Sequence, residues 1–204
     1  MSSLKRVSPS EIKTYQECPR KWKYRYAMRL EPIDEPRPAN MAQGTAVHSA
    51  IEAKLLGVTT SGTQVIHESL VEQIGEEQAA KYEAGALNAF LSIPDWVYQA
   101  EAPQVEFKHE VAYNSSTGEP ADLRVADYAD ILMVGKPDLW LIRGGHIEIW
   151  DYKTTSSPVD KVLETYERWN EQDLFYAVLI HDELTLLTGD APPIYTGDMV
   201  VSPK

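Results

Sequence analysis

GKPDLWLIRGGHIEIWDYKT, residues 135–154, is the stretch whose reading decides the fold. Arg143, Gly144 and Gly145 read as the turn of a hairpin. Residues 129–142, rich in Ile, Leu, Met and Val, supply the strand before it, and His146 to Lys153 the strand after it. Asp151 and Lys153 are two apart, so on a strand they project from one face. Asp138 lies on the opposing arm, where antiparallel pairing can bring it beside Asp151, although the sequence does not give the register. Two carboxylates converging at a sheet edge make a hard, oxygen-rich site suited to Mg²⁺ or Mn²⁺ over zinc. Lys153 adds a cation where a phosphate and a developing oxyanion could sit. Hairpin ends also collect charge for solvation, so the hairpin does not decide the chemistry alone.

Upstream, Ser8, Pro9 and Glu11 predict a helix start, with Ile12 and Tyr15 on one face. Cys18-Pro19 ends that helix and opens a second, through about Met28, with Trp22 and Tyr26 inward. Residues 31–40 hold Pro32, Pro36 and Pro38 and read as a loop. Gly44-Thr45 opens a helix carrying Val47, Ile51 and Leu55 at helical spacing. A long helix is expected over 64–91, its continuity weakened by Gly75 and Gly85. Alternation from Val105 to Tyr113 predicts one strand. Residues 159–181 predict an amphipathic helix, and 184–188 and 195–201 two weak strands. The fold class expected is α/β: one domain over 1–204, mainly helical over 1–100, with a sheet core over 104–204.

Three further residues stand out. His48 lies on the Gly44 helix; seen singly, such a histidine is more often a structural or surface residue than a ligand. Gln172 and Tyr176 are i, i+4 in the stripe Val162, Tyr166, Trp169, Tyr176, Ile180, where a glutamine needs hydrogen-bond partners and also reads as a core amide.

The formal net charge is -12, which alone argues against coating nucleic acid. Its distribution changes that. Residues 1–30 hold eight cations and two anions, against 11 and 29 in the remainder. Lys13, Arg20, Lys21, Lys23, Arg25 and Arg29 either track a strand backbone or form the wet face of a helix. No apolar run approaches the roughly 20 residues that span a bilayer. The N-terminus lacks an apolar leader segment. The single cysteine, Cys18, excludes a cysteine-ligated cluster within the chain and fits a reducing compartment.

Taken in order, these segments resemble the RecB-type branch of the PD-(D/E)XK nuclease superfamily, which includes CRISPR-associated RecB-like nucleases and the nuclease domains of AddAB and RecBCD. The N-terminal Ser8-Pro9-Ser10-Glu11-Ile12 run with Tyr15, Cys18, Pro19, Trp22 and Tyr26 resembles the helical signature. Gly44 to His48 resembles the Gly-x-x-x-His motif, Gly135 to Asp138 the Gly-x-x-Asp strand, Asp151 to Thr154 the Asp-Tyr-Lys-Thr core, and Gln172 to Tyr176 the Gln-x-x-x-Tyr helix. The resemblance implies a restriction-endonuclease-like domain: a central mixed sheet flanked by helices, with a helical N-terminal segment.

It further implies that Asp138, Asp151, His48 and the Tyr152 carbonyl bind Mg²⁺ or Mn²⁺. Lys153 would act on the phosphate, and Gln172 and Tyr176 would contact DNA or brace the lysine. Glu110, preferred over Glu106, would add an acid. Many relatives hold an iron–sulfur cluster through one early and three late cysteines; this chain lacks the late ones, no cluster is expected, and Cys18 reads as a packing residue. The activity implied is a metal-dependent DNA nuclease, an exonuclease on single strands or ends. The rival is an accessory module that binds DNA or a recombination, helicase or CRISPR-adaptation partner without efficient cleavage. A cytoplasmic setting, phage- or prokaryote-encoded and without a membrane partner, goes with it.

Overall fold

The computed structural model describes residues 4–30, 38–100, 103–105, 107–121, 129–155 and 171–201. After a short strand β1 (Lys5–Val7), helix α1 (Pro9–Glu17) starts as its sequence dictates: the Ser8 side chain accepts from the Glu11 N–H and Pro9 opens the first turn. Cys18 is half-buried, not a core residue. Its Sγ accepts from the Lys21 N–H and caps α2 (Pro19–Trp22), because a short polarizable side chain in extended backbone can reach the next turn. A π-helical turn, Lys23–Ala27, follows. Trp22 and Tyr26 are only half-buried: Trp22 meets the edge of Tyr15 and donates to Glu11 at 3.0 Å.

Helix α3 (Ala39–Leu55) begins five residues before Gly44, after Pro38, so Gly44 lies inside the helix. The expected long helix is two, α4 (Gly62–Ile74) and α5 (Glu76–Leu91), parted at Gly75. Gly75 has φ 78°, a conformation open to glycine at no steric cost. A short α6 (Asp95–Tyr98) completes the helical part.

Both long strands expected from sequence are divided, and the halves enter different sheets. Residues 105–113 become β2 (Gln104–Val105) and β3 (His109–Tyr113); residues 129–142 become β5 (Ile131–Gly135) and β6 (Leu139–Arg143). Pro137 lies between the latter two and has no N–H to give a ladder. With β4 (Pro120–Ala121), β7 (His146–Thr154) and β8 (Ile194–Val201), the described residues form two four-stranded mixed sheets, β1-β5-β3-β4 and β2-β6-β7-β8, in place of one central sheet. The β1–β5 and β7–β8 pairs are parallel and the rest antiparallel.

The last helix, α7 (Glu171–Thr188), runs through the segment expected as a strand at 184–188. Leu184, Leu186 and Leu187 are strong helix formers, and Gly189 at φ 86° stops the helix. Residues 159–170 of the expected helix, including Val162, Tyr166 and Trp169, lie outside the described residues, as does Glu106.

β7 separates two apolar cores. Ile147 and Ile149 pack with Val111, Phe175 and Leu179 against α7. Tyr152 packs with Leu139, Leu141 and the buried faces of α3 to α5. Helix α7 is also tied to β3 by Tyr113 donating to Asp182 at 2.7 Å and by contact of His109 with Glu183. Gly135 lets α7 approach β5, since a Cβ there would lie 2.7 Å from Leu179 Cδ2 and 3.0 Å from the Tyr176 ring. Gly135→Ala is therefore expected to cost about 1–3 kcal/mol by overpacking. A urea midpoint equal to wild type would show that this contact does not set the helix position.

Candidate active site

The register of the β6–β7 hairpin pairs Leu139 with Trp150, which sets Asp138, one residue earlier, opposite Asp151. Asp138 Oδ2 accepts the Tyr152 N–H at 2.7 Å. Desolvation is the main force on Asp138 and raises its pKa to about 6. His48 pulls it down, Asp151 pushes it up, and the Tyr152 N–H and Lys153 pull it down again. Asp151 is 5% exposed. One of its oxygens accepts from Gln172 Nε2 at 2.8 Å and the other is ion-paired with Lys153. Burial alone would lower the Lys153 pKa, but Asp151, with Asp198 and Asp138, reverses this and shifts it upward, so the ammonium stays charged.

His48 comes from α3. A Cβ on Gly44 would stand 2.8 Å from Thr154 Oγ1, so glycine lets the helix close on the end of β7. One turn later His48 Nε2 lies 2.9 Å from the Tyr152 carbonyl, and Nδ1 lies 3.5 Å from Asp138 Oδ1. A carbonyl only accepts, so this contact requires Nε2–H. Nδ1 then turns its lone pair toward a carboxylate, an arrangement that needs a proton or another cation between the two.

Among the described residues no three His, Cys, Asp or Glu side chains form a ready metal cage. The donors that converge are two carboxylates and Nδ1 of His48, the Tyr152 oxygen holding the other ring nitrogen, an oxygen-rich set fit for Mg²⁺ or Mn²⁺. The desolvated Asp138 beside Asp151 fits a bound cation for the same reason that its proton is held tightly.

The i, i+4 pair on α7 closes the group. Gln172 Nε2 lies 3.3 Å from Tyr176 Oη, and Tyr176 donates to the Lys136 carbonyl at 3.2 Å. The structure thus brings together His48, Asp138, Asp151, Tyr152, Lys153, Gln172 and Tyr176. Glu110 is ion-paired with Lys108 at 2.5 Å instead of joining this set.

Of the basic residues, Lys13 lines a cavity of about 860 Å³ next to Gln172 and Tyr176. Arg20, Lys21, Lys23, Arg25 and Arg29 are exposed and do not line it; Arg20 and Arg25 lie over Tyr24 and Tyr26. Sequence reasoning missed Asp198. It pairs in register with Asp151 on β8 and its charge bears on Lys153, but parallel register between distant segments leaves no local signal.

A mixed α/β fold with paired carboxylates and a lysine at the open end of a hairpin defines a restriction-endonuclease-like protein. The model of the PD-(D/E)XK nuclease superfamily matches residues 6–200, and the chain belongs to that superfamily. Its members are generally nucleases that use divalent metals such as Mg²⁺ or Mn²⁺ on DNA. The comparison with curated proteins returns no significant match. Among the described residues no helix is long and apolar enough to cross a membrane.

The raised pKa has a signed consequence. Between the ordinary value of 3.8 and about 6, the native state holds the Asp138 proton more tightly than the unfolded chain does, so stability falls as pH rises through that window. In EDTA, Asp138→Asn is expected to stabilise the protein by about 1–3 kcal/mol at pH 7.5 and not at pH 4. Chemical denaturation at the two pH values checks this, and an equal effect at both would refute it.

Proposed function

We propose that this protein is a metal-dependent DNA nuclease of the RecB-type branch, acting as an exonuclease on single strands or DNA ends. The observation that carries the reading is His48 reaching both Asp138 and the Tyr152 carbonyl from α3, beside Asp151 and Lys153. This is the donor set that the motif order implies for that branch.

Asp138, Asp151 and His48 Nδ1 would hold the ion, with the Tyr152 carbonyl fixing the His48 ring through Nε2–H. When bound, Mg²⁺ or Mn²⁺ supplies Lewis-acid charge to the scissile phosphate and acidifies the attacking water. Lys153, kept charged by its carboxylate neighbours, meets the negative charge that builds on phosphorus oxygens in the transition state. Gln172 fixes the orientation of Asp151, and Tyr176 braces Gln172 against the main chain at Lys136. On this reading, the helix positions the carboxylate that in turn pairs with Lys153.

Digestion of labelled single strands and of plasmid with Mg²⁺, Mn²⁺ or EDTA tests the activity. Product is expected with either metal and none in EDTA, and Asp138→Ala is expected to give none under any condition. DNA binding in Ca²⁺ without cleavage in Mg²⁺ or Mn²⁺ would assign the accessory role instead. Lys153→Ala is expected to slow single-turnover cleavage by at least ~100-fold, the loss typical of one aimed electrostatic donor. Its Mn²⁺ affinity, read by titration calorimetry, should not fall. An unchanged rate would make Lys153 a solvated hairpin charge.

A further inference from the structure

The cavity of about 860 Å³ lies between the start of α1, the end of β5 and the first turns of α7. Gln172 and Tyr176 line it, and Gln172 also donates to Asp151, so the cavity adjoins the carboxylate site across that side chain. Four cations line it, Arg6, Lys13, Lys108 and Lys136, against two acids, Glu17 and Glu171. Lys108 is already paired with Glu110, so the charge that faces the cleft is carried by Arg6 and Lys13, on a chain whose net charge is -12. Arg6 and Lys13 are exposed, and neither is ion-paired among the described residues.

We infer that this cleft is the track along which the phosphate backbone of one DNA strand approaches the carboxylate site, held by Arg6 and Lys13. The inference rests on the nuclease reading and adds to it the path of the substrate. A polyanion is the ligand that this charge selects, because each neutralised phosphate releases counterions. A volume of about 860 Å³ is enough for a few linked nucleotides. The path differs from a wall at Arg20 to Arg25, whose residues lie outside the cleft.

The test measures binding of a fluorescein-labelled oligothymidylate by anisotropy in Ca²⁺, from about 50 to 200 mM salt. For the double variant Arg6→Ala/Lys13→Ala, affinity is expected to fall about tenfold, and the slope of log K against log salt to lose about 1.4, roughly 0.7 per contact with a single strand. Lys13→Glu, on the solvent side of α1, is run alongside in case the change on β1 disturbs folding; its slope should drop by at least about 0.7. A blunt duplex should lose much less than the single strand.

Unchanged affinity and slope in both variants would overturn the track. So would an equal loss for duplex, or the loss appearing only in Arg20→Ala/Lys21→Ala/Lys23→Ala/Arg25→Ala. Mn²⁺ titration separates the two readings. Wild type that binds the oligonucleotide through these cations but takes up no Mn²⁺ sinks the nuclease reading, while Mn²⁺ uptake with no effect of the cleft variants sinks the track alone.

Discussion

Strand β7 must serve two layers at once, and the rest of the molecule is arranged around that requirement. Successive side chains on a strand point to opposite faces. Ile147 and Ile149 therefore fill the core under α7, while Tyr152 fills the core under α3. The same alternation carries Asp151 and Lys153 out along the α7 face, where Gln172 waits, and leaves the Tyr152 carbonyl to His48. A slip of one residue in the β6–β7 pairing would send Asp151 toward the wrong layer. The buried apolar side chains set the register, and the register sets the polar geometry.

The cost of this arrangement is electrostatic. Two carboxylates share a desolvated corner, one with its pKa raised to about 6, and only part of their charge is met by Lys153 and by hydrogen bonds. Such clusters are held against the interests of stability, a pattern typical of functional sites. Close packing supplies the compensation: glycines at 44 and 135 let α3 and α7 approach until side chains meet the strand ends.

Much of this was legible from local pattern. The hairpin, the capped first helix and the i, i+4 pair Gln172 and Tyr176 all follow from periods of two or 3.6 and from turn chemistry. What was not legible depends on distant partners. The stretch 105–113 alternates and 129–142 is apolar on both sides of Gly135–Asp138, yet each is split between two sheets, because Pro137 interrupts one ladder and its antiparallel neighbour divides with it. The helix at 184–188 was misread because Leu-rich segments suit either state until packing decides. β1 is three residues long and exists only through its parallel pairing with β5. Asp198 reaches Lys153 through another parallel pairing, one that no window of sequence contains.

The contact between His48 and the Tyr152 carbonyl joins residues 104 apart. Closing a loop of that length is entropically costly and slow compared with forming the helices inside it. On a ribosome, α3 to α5 can bury their shared face long before β7 emerges, because those helices pack mainly on one another. The carboxylates then arrive at a scaffold already folded, and Gln172 arrives later still. Partly synthesised chains would thus hold helical structure without the assembled carboxylate cluster, which forms only in molecules whose synthesis has passed α7.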